Sequence, residues 1–152
     1  MSSDVLRVER LPHLALSLKH PWAWAVVCAG KSIENRKWNT KFRGEFCVHA
    51  SKTCSQSYYE DAVAWMLEHA GLRISQIPPR DALTYGGILG VSTIIGVLPP
   101  DLTGSSARPS VQKRERWHML DQFGFVLEET QPTKFVPCPG RLGFFDVSKY
   151  VS

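Results

Sequence analysis

LSLKHPWAWAVVCAGKSIENRKWNTKFRGEFCVHASK, residues 16–52, is the stretch on which the fold turns. Its opening overlaps LALSL (Leu14–Leu18), where apolar and small polar residues alternate, and a period of two predicts a strand with Leu14, Leu16 and Leu18 facing the core. Pro21 suits the first position of a helix and Gly30 its left-handed stop, so residues 21–30 predict a helix of about two to three turns. Trp22, Val26 and Ala29 fall on one side of that helix and Trp24 and Val27 on another, which predicts burial around most of its circumference. Residues 31–38 (KSIENRKW) then predict a strand with Glu34, Arg36 and Trp38 on one face, Ile33 and Asn35 on the other, and Lys31 at the entry turn. Arg43 and Gly44 mark a turn, and FCVHA at 46–50 predicts the next strand, with Ser51 and Lys52 at its exit.

Downstream, Ser57 and Glu60 have the spacing of a capping box, and Tyr59, Ala62, Val63, Met66, Leu67 and Ala70 recur at helical spacing before Gly71. Residues 57–70 therefore predict a helix with an apolar stripe. GILGVSTIIGVL (Gly87–Leu98) is rich in β-branched residues and interrupted by glycines, the composition of a long bent strand. DLTGSSARP at 101–109 has loop composition and reads as an insertion, bounded at about 99–110. Residues 111–122 predict one short helix, 125–127 and 135–136 two separate strands, and 142–147 a last strand, with no internal repeat anywhere. The sum is an α+β, mostly β fold, a small β-barrel with two or three flanking helices, spanning 14–150 after an N-terminal extension, 1–13.

At 152 residues and 43% hydrophobic, the chain has apolar material for one packed core, and halving it would leave each part marginal. Lysine and arginine total 18 against 14 acidic residues, a net charge of +4 that suits a polyanionic partner. Asp4, Arg7, Glu9 and Arg10 interrupt the first dozen residues, which predicts no export signal, and the apolar runs at 21–30 and 86–100 are too short to span a bilayer. A cytoplasmic protein without membrane contact is expected. Cys28, Cys47, Cys54 and Cys138 form no CxxC pair and are expected as reduced thiols. Cys47, His49 and Cys54 lack the paired spacing of a zinc finger, so no metal is expected.

The charge in residues 16–52 is arranged for chemistry. Lys31 and Arg36 can each neutralise a phosphate, arginine in bidentate fashion. Glu34, flanked by two cations, is expected to stay ionised and can accept from a base amino group, act as a general base, or hold the cations in place. Lys19, Lys37, Lys41, Arg43 and Lys52 add charge, with Trp22 and Trp38 interleaved as stacking surfaces for unpaired bases. Trp38 is the better platform of the two on this reading, because Trp22 and Trp24 ride on a helix expected to bury them. Lys113, Arg114, Arg116 and Trp117 read as either a second basic edge or a solvated helix face.

The same stretch resembles the opening of ASCH domains: a strand, a Pro-Trp helix start, a G-x-K-x-x-E-x-R signature filled by Lys31, Glu34 and Arg36, an Arg-Gly turn, and a strand ending at Ser-Lys. GGILGVSTIIGVL resembles the family's long central strand, and FGFVLEE with PGRLGFFDV its closing strands, so the likeness runs over about 14–147. Two positions depart from the pattern. Ala29 stands where the signature glycine is expected, with Gly30 directly before Lys31, and His20 stands where relatives often carry glutamine. The resemblance implies a PUA-like fold with a cleft, and nucleic acid as its partner.

Three functions fit this resemblance. The favoured one is a binding module that holds RNA, single-stranded or modified and with DNA as second choice, through Lys19, Trp22, Lys31, Glu34, Arg36, Trp38, Arg43 and Lys52. The second is a hydrolase acting on RNA in the same cleft. As a ribonuclease, Lys31 would stabilise the phosphorane and Glu34 or His49 would take the proton of a ribose hydroxyl. Relatives that deacetylate acetylated cytidine pair a lysine with a threonine three residues later; Glu34 stands at that place, so their nucleophile is missing. The third is a protein-interaction or regulatory domain. No cofactor is expected, and a monomer is the favoured state.

Overall fold

Leu16 and Leu18 are buried, as the alternation in LALSL requires, but so is Ala15 from the opposite face. The strand they form, β1 (Leu14–Leu18), has core on both sides. It runs parallel to β3 (Gly44–Ala50), pairing Leu16 with Val48 and Ser17 with His49. A parallel pair needs a crossover, and here it is made by α1 (Trp22–Cys28) and β2 (Ile33–Arg36). The chain continues through α2 (Gln56–His69), β4 (Gly87–Leu98), β5 (Phe123–Pro137), β6 (Phe144–Asp146) and α3 (Ser148–Val151). These elements come from a computed structural model that describes residues 11–100 and 113–151. The insertion expected at 101–109 and the first ten residues of the expected extension lie outside the described residues.

The strands form one sheet in the order β2-β5-β4-β3-β1-β6, mixed only at the parallel β1–β3 pair. Among the described residues the sheet is curled into a half-barrel with three helices, the mostly β architecture that the strand pattern predicts. Its curl can be read from one hydrogen bond. β2 is an edge strand and β1 lies four places away in the order, yet Arg36 of β2 donates from Nη2 to the carbonyl oxygen of Ser17 in β1 at 2.8 Å. The curl therefore brings edge strand β2 within reach of β1, where the Arg36 side chain meets a backbone carbonyl, and a pocket forms there.

Two apolar clusters hold the sheet and a third holds α2. Leu16, Leu18, Phe46, Val48, Ile94, Phe125 and Leu127 pack with α1 on one face. Ala15, Cys47, Ile88, Val91 and Phe145 pack with Leu11 and Val151 on the other. Ile33, Val63, Met66, Ile77 and Trp117 join α2 to β2 and β5.

Four expectations are corrected. The cap of α2 is Ser55, whose extended backbone lets its hydroxyl accept from the Tyr58 N–H at 3.1 Å; Ser57 lies inside the helix, and Glu60 accepts from the Gln56 side chain. Leu67 is 40% exposed, at the edge of a stripe carried by Ala62, Val63 and Met66. Residues 125–127 and 135–136 belong to one strand of 15 residues, β5. The polar stretch between them stays in the sheet by bulging: Glu129 has φ 55, and the register against β4 shifts three times. Finally, the helix expected over 111–122 is a 3-10 turn at Lys113–Trp117, with Trp117 buried in the α2 cluster rather than on a basic edge.

Candidate functional site

Gly30 decides where Lys31 points. It adopts φ +72, which favours glycine, and the turn sends the Lys31 N–H back to the Ala25 carbonyl at 3.0 Å. The Lys31 side chain is thereby directed inward, under α1. On β2, the period of two puts Glu34 and Arg36 on the same face, and Ile33 in the core on the other. The three charges meet. Lys31 Nζ lies 3.1 Å from Glu34 Oε1 and Arg36 Nε 2.9 Å from Glu34 Oε2, so one carboxylate spends both oxygens on two cations. Lys31 also donates to the Ile33 carbonyl and faces the Trp22 ring, 5.5 Å from its centroid. With its side chain only 1% exposed, this ammonium has little reach beyond the cluster.

Burial and charge pull against each other here. Burial pushes the Glu34 carboxyl upward, but Lys31 and Arg36 outweigh it and hold the group below its usual range. Burial draws the Lys31 ammonium down, and Glu34 opposes that. With both cations charged the cluster keeps one net positive charge, and Arg36, its side chain 19% exposed, is the member most open to solvent.

A pocket of about 1080 Å³ opens over this cluster. Lys19, Lys31, Arg36, Lys52 and Arg141 line it, with Glu34 as the one carboxylate among the described lining residues. Trp22, Tyr58 and Tyr85 form an aromatic wall, fixed by the Trp22 Nε1–H, which donates to the Tyr58 hydroxyl at 3.1 Å. Lys19 lies 4.7 Å from the centroid of the Tyr58 ring. Ser17, Ser51 and His49 supply polar groups on another side, and the loop from Pro139 to Gly143 forms the rim.

Of the residues singled out in the sequence, Lys19, Trp22, Lys31, Glu34, Arg36, His49 and Lys52 line this pocket. Trp38 and Arg43 do not. The Trp38 ring packs edge-on against Phe125 and Phe144, at 5.3 and 5.8 Å. Arg43 donates to the carbonyls of Thr40 and Phe42 beside a smaller hollow. Trp22 lines the pocket while half-buried against the α2 cluster, whereas Trp38, 37% exposed with the Arg36 guanidinium 5.9 Å from its ring centroid, does not line it. Sequence reasoning missed Tyr58, Tyr85 and Arg141. Tyr58 stands inside the presumed capping box, and nothing local marks the other two.

His20 is not a lining residue. Its Nδ1 accepts from the Trp24 N–H at 3.3 Å, so its Nε2 carries the proton donated to the Thr84 carbonyl at 2.7 Å. It ties α1 to the segment before β4. Among the described residues no group of three or more His, Cys, Asp or Glu side chains could hold a metal.

These contacts predict how stability depends on pH. Burial lowers the pKa of both His20 and His49 from 6.5, so below that value the unfolded chain binds protons that the folded chain refuses. Stability is complete above about pH 6.5 and is lost as pH falls through the two lowered values. Glu34, held below 4.5, adds a loss in the same direction at more acid pH. Thermal melts at pH 7.5, 6 and 5 should give midpoints that fall with pH, and His20→Gln should flatten the fall; a midpoint constant down to pH 5 contradicts it.

With this geometry in place, comparison with protein families matches residues 16–133 to the ASCH domain. The match ends inside β5, while β6, beyond it, completes the sheet beside β1. No curated protein matches the chain. Among the described residues no helix is long and apolar enough to cross a membrane.

Proposed function

The chain belongs to the ASCH domain family, and from that membership and the charge around its pocket we propose that it binds single-stranded RNA, with one unstacked nucleotide entering between the aromatic wall and the Arg36 cluster. ASCH domains are PUA-like and generally linked to RNA binding. The observation that carries the reading is the lining itself: exposed cations around aromatic rings, with the one carboxylate already neutralised. Phosphates fall to Lys19, Arg36, Lys52 and Arg141, which can reach solvent, while buried Lys31 holds Glu34 in place. Trp22 and Tyr58 offer faces on which a base can stack without regard to its identity. Glu34 spends both oxygens on its neighbours, which leaves the serine hydroxyls and the rim to meet base edges.

Three or four phosphate contacts on a single strand give a slope of log K against log salt of about −2 to −3. Fluorescence anisotropy with a labelled RNA decamer should therefore show affinity falling about 20- to 50-fold between 50 and 200 mM salt. The DNA decamer should bind more weakly. Absence of binding at low salt, or binding indifferent to salt, overturns the proposal.

No geometry favours RNA cleavage by Lys31, whose ammonium is committed to Glu34 and the Ile33 carbonyl. The deacetylating reaction of relatives lacks its threonine here, and Glu34 in that place is bound between two cations.

A further inference from the structure

Register places Ser17 of β1 opposite His49 of β3. The Ser17 Oγ lies 2.9 Å from His49 Nδ1, and His49 Nε2 lies 2.8 Å from the carbonyl oxygen of Cys138. A carbonyl oxygen only accepts, so Nε2 carries the ring proton and Nδ1 presents its lone pair to the serine hydroxyl. On the other side of Ser17 the Ser51 hydroxyl stands at 3.1 Å and serves as a donor to it. A hydroxyl, an imidazole and a fixed acceptor in this order are a nucleophile, its base and the group that orients the base.

Four further observations bear on the pair. Ser17 and His49 both line the pocket. Burial lowers the His49 pKa, which keeps the ring neutral and able to take a proton at neutral pH. Gly140 lies against the pair so closely that a Cβ there would stand 2.8 Å from His49 Cε1 and 3.1 Å from Ser17 Oγ. Arg36 donates to the Ser17 backbone carbonyl oxygen at 2.8 Å and so fixes the strand that carries the hydroxyl. RNA binding asks the Ser17 hydroxyl only for a hydrogen bond and makes no use of His49 as a base.

We propose that Ser17 is a nucleophile with His49 as its general base, and that the pocket hydrolyses carboxylic esters whose alcohol part carries a phosphate. Ser17 Oγ bonds to the ester carbonyl carbon as its proton passes to His49 Nδ1. The tetrahedral adduct then breaks its bond to the alcohol oxygen, and the imidazolium returns the proton to that leaving alcohol. Water adds to the acyl carbon and gives a proton to His49, the bond from that carbon to Ser17 Oγ breaks, and His49 returns the proton to Oγ as the carboxylic acid departs. The sum is ester and water to acid and alcohol. The phosphate preference rests on the same cations as the RNA proposal, whereas the nucleophile does not.

A fluorophosphonate reagent tests the nucleophile without RNA. Intact mass and peptide mapping should find one adduct on Ser17 of the full chain, absent in Ser17→Ala and formed at least tenfold more slowly in His49→Gln, with thermal melts checking that both variants fold. Wild-type protein left unlabelled at Ser17 overturns the nucleophile whatever its RNA binding. The acetyl ester of a ribose hydroxyl on adenosine 5′-phosphate should be hydrolysed with a kcat/KM at least tenfold above that of the same ester on adenosine at low salt; equal values overturn the phosphate preference. Labelling at Ser17 without salt-dependent RNA binding sinks the RNA proposal alone.

Discussion

Glu34→Ala is expected to lower folding stability by about 3–5 kcal/mol, the usual cost of stripping a buried ion of its partner. Lys31 has a side chain 1% exposed and relies on Glu34 at 3.1 Å and the Ile33 carbonyl. Arg36 loses its 2.9 Å contact as well, but it can turn to solvent and keeps the Ser17 carbonyl. The loss therefore falls chiefly on Lys31, whose ammonium burial already draws toward the neutral form. Urea unfolding at pH 7 measures it. The double variant Lys31→Met with Glu34→Gln should recover at least half the loss, because replacing a buried pair by groups of similar volume is often near neutral. A Glu34→Ala loss below about 1 kcal/mol would mean that the cluster is solvated or that Lys31 is already neutral.

Trp22→Ala is expected to weaken RNA binding by about 1–3 kcal/mol, roughly 5- to 150-fold, the range for removing one base-stacking ring. The ring is held before any ligand arrives: its Nε1–H donates to Tyr58, and Trp65 packs edge-on at 5.7 Å. A preformed platform loses little entropy on binding. Trp22→Phe should restore most of the affinity, since it keeps an aromatic face. Trp38→Ala should leave affinity within about twofold, because that ring lies against Phe125 and Phe144 outside the pocket lining. Anisotropy titrations of the three variants at 50 mM salt, with melts to confirm folding, separate these outcomes. Equal affinity for Trp22→Ala and wild type would remove stacking on this ring from the proposal.

The Arg36–Glu34–Lys31 cluster was legible because its spacing is local. Two residues on one face of a strand, and a lysine three positions before the first of them, meet through neighbouring backbone geometry with a single glycine turn. The strand-rich class was legible for the same reason, since alternation in LALSL and GILGVSTIIGVL reports burial directly. Periodicity is weaker where a bulge interrupts it. The polar residues inside β5 look like a break, and only pairing with β4 on one side keeps them in the sheet.

Sequence alone determined the class of fold, the helix between the first two strands, and the charged triplet at 31, 34 and 36, all consequences of contacts within a few residues. Tertiary structure alone decided which tryptophan faces the pocket, that Tyr58, Tyr85 and Arg141 join it, and that Ser17 meets His49 and the Cys138 carbonyl. Periodicity tells on which side of its own strand or helix a residue lies. Which side borders a cavity depends on how the sheet curls, and that curl is set by packing between residues distant in the chain, such as Phe46, Ile94 and Phe125.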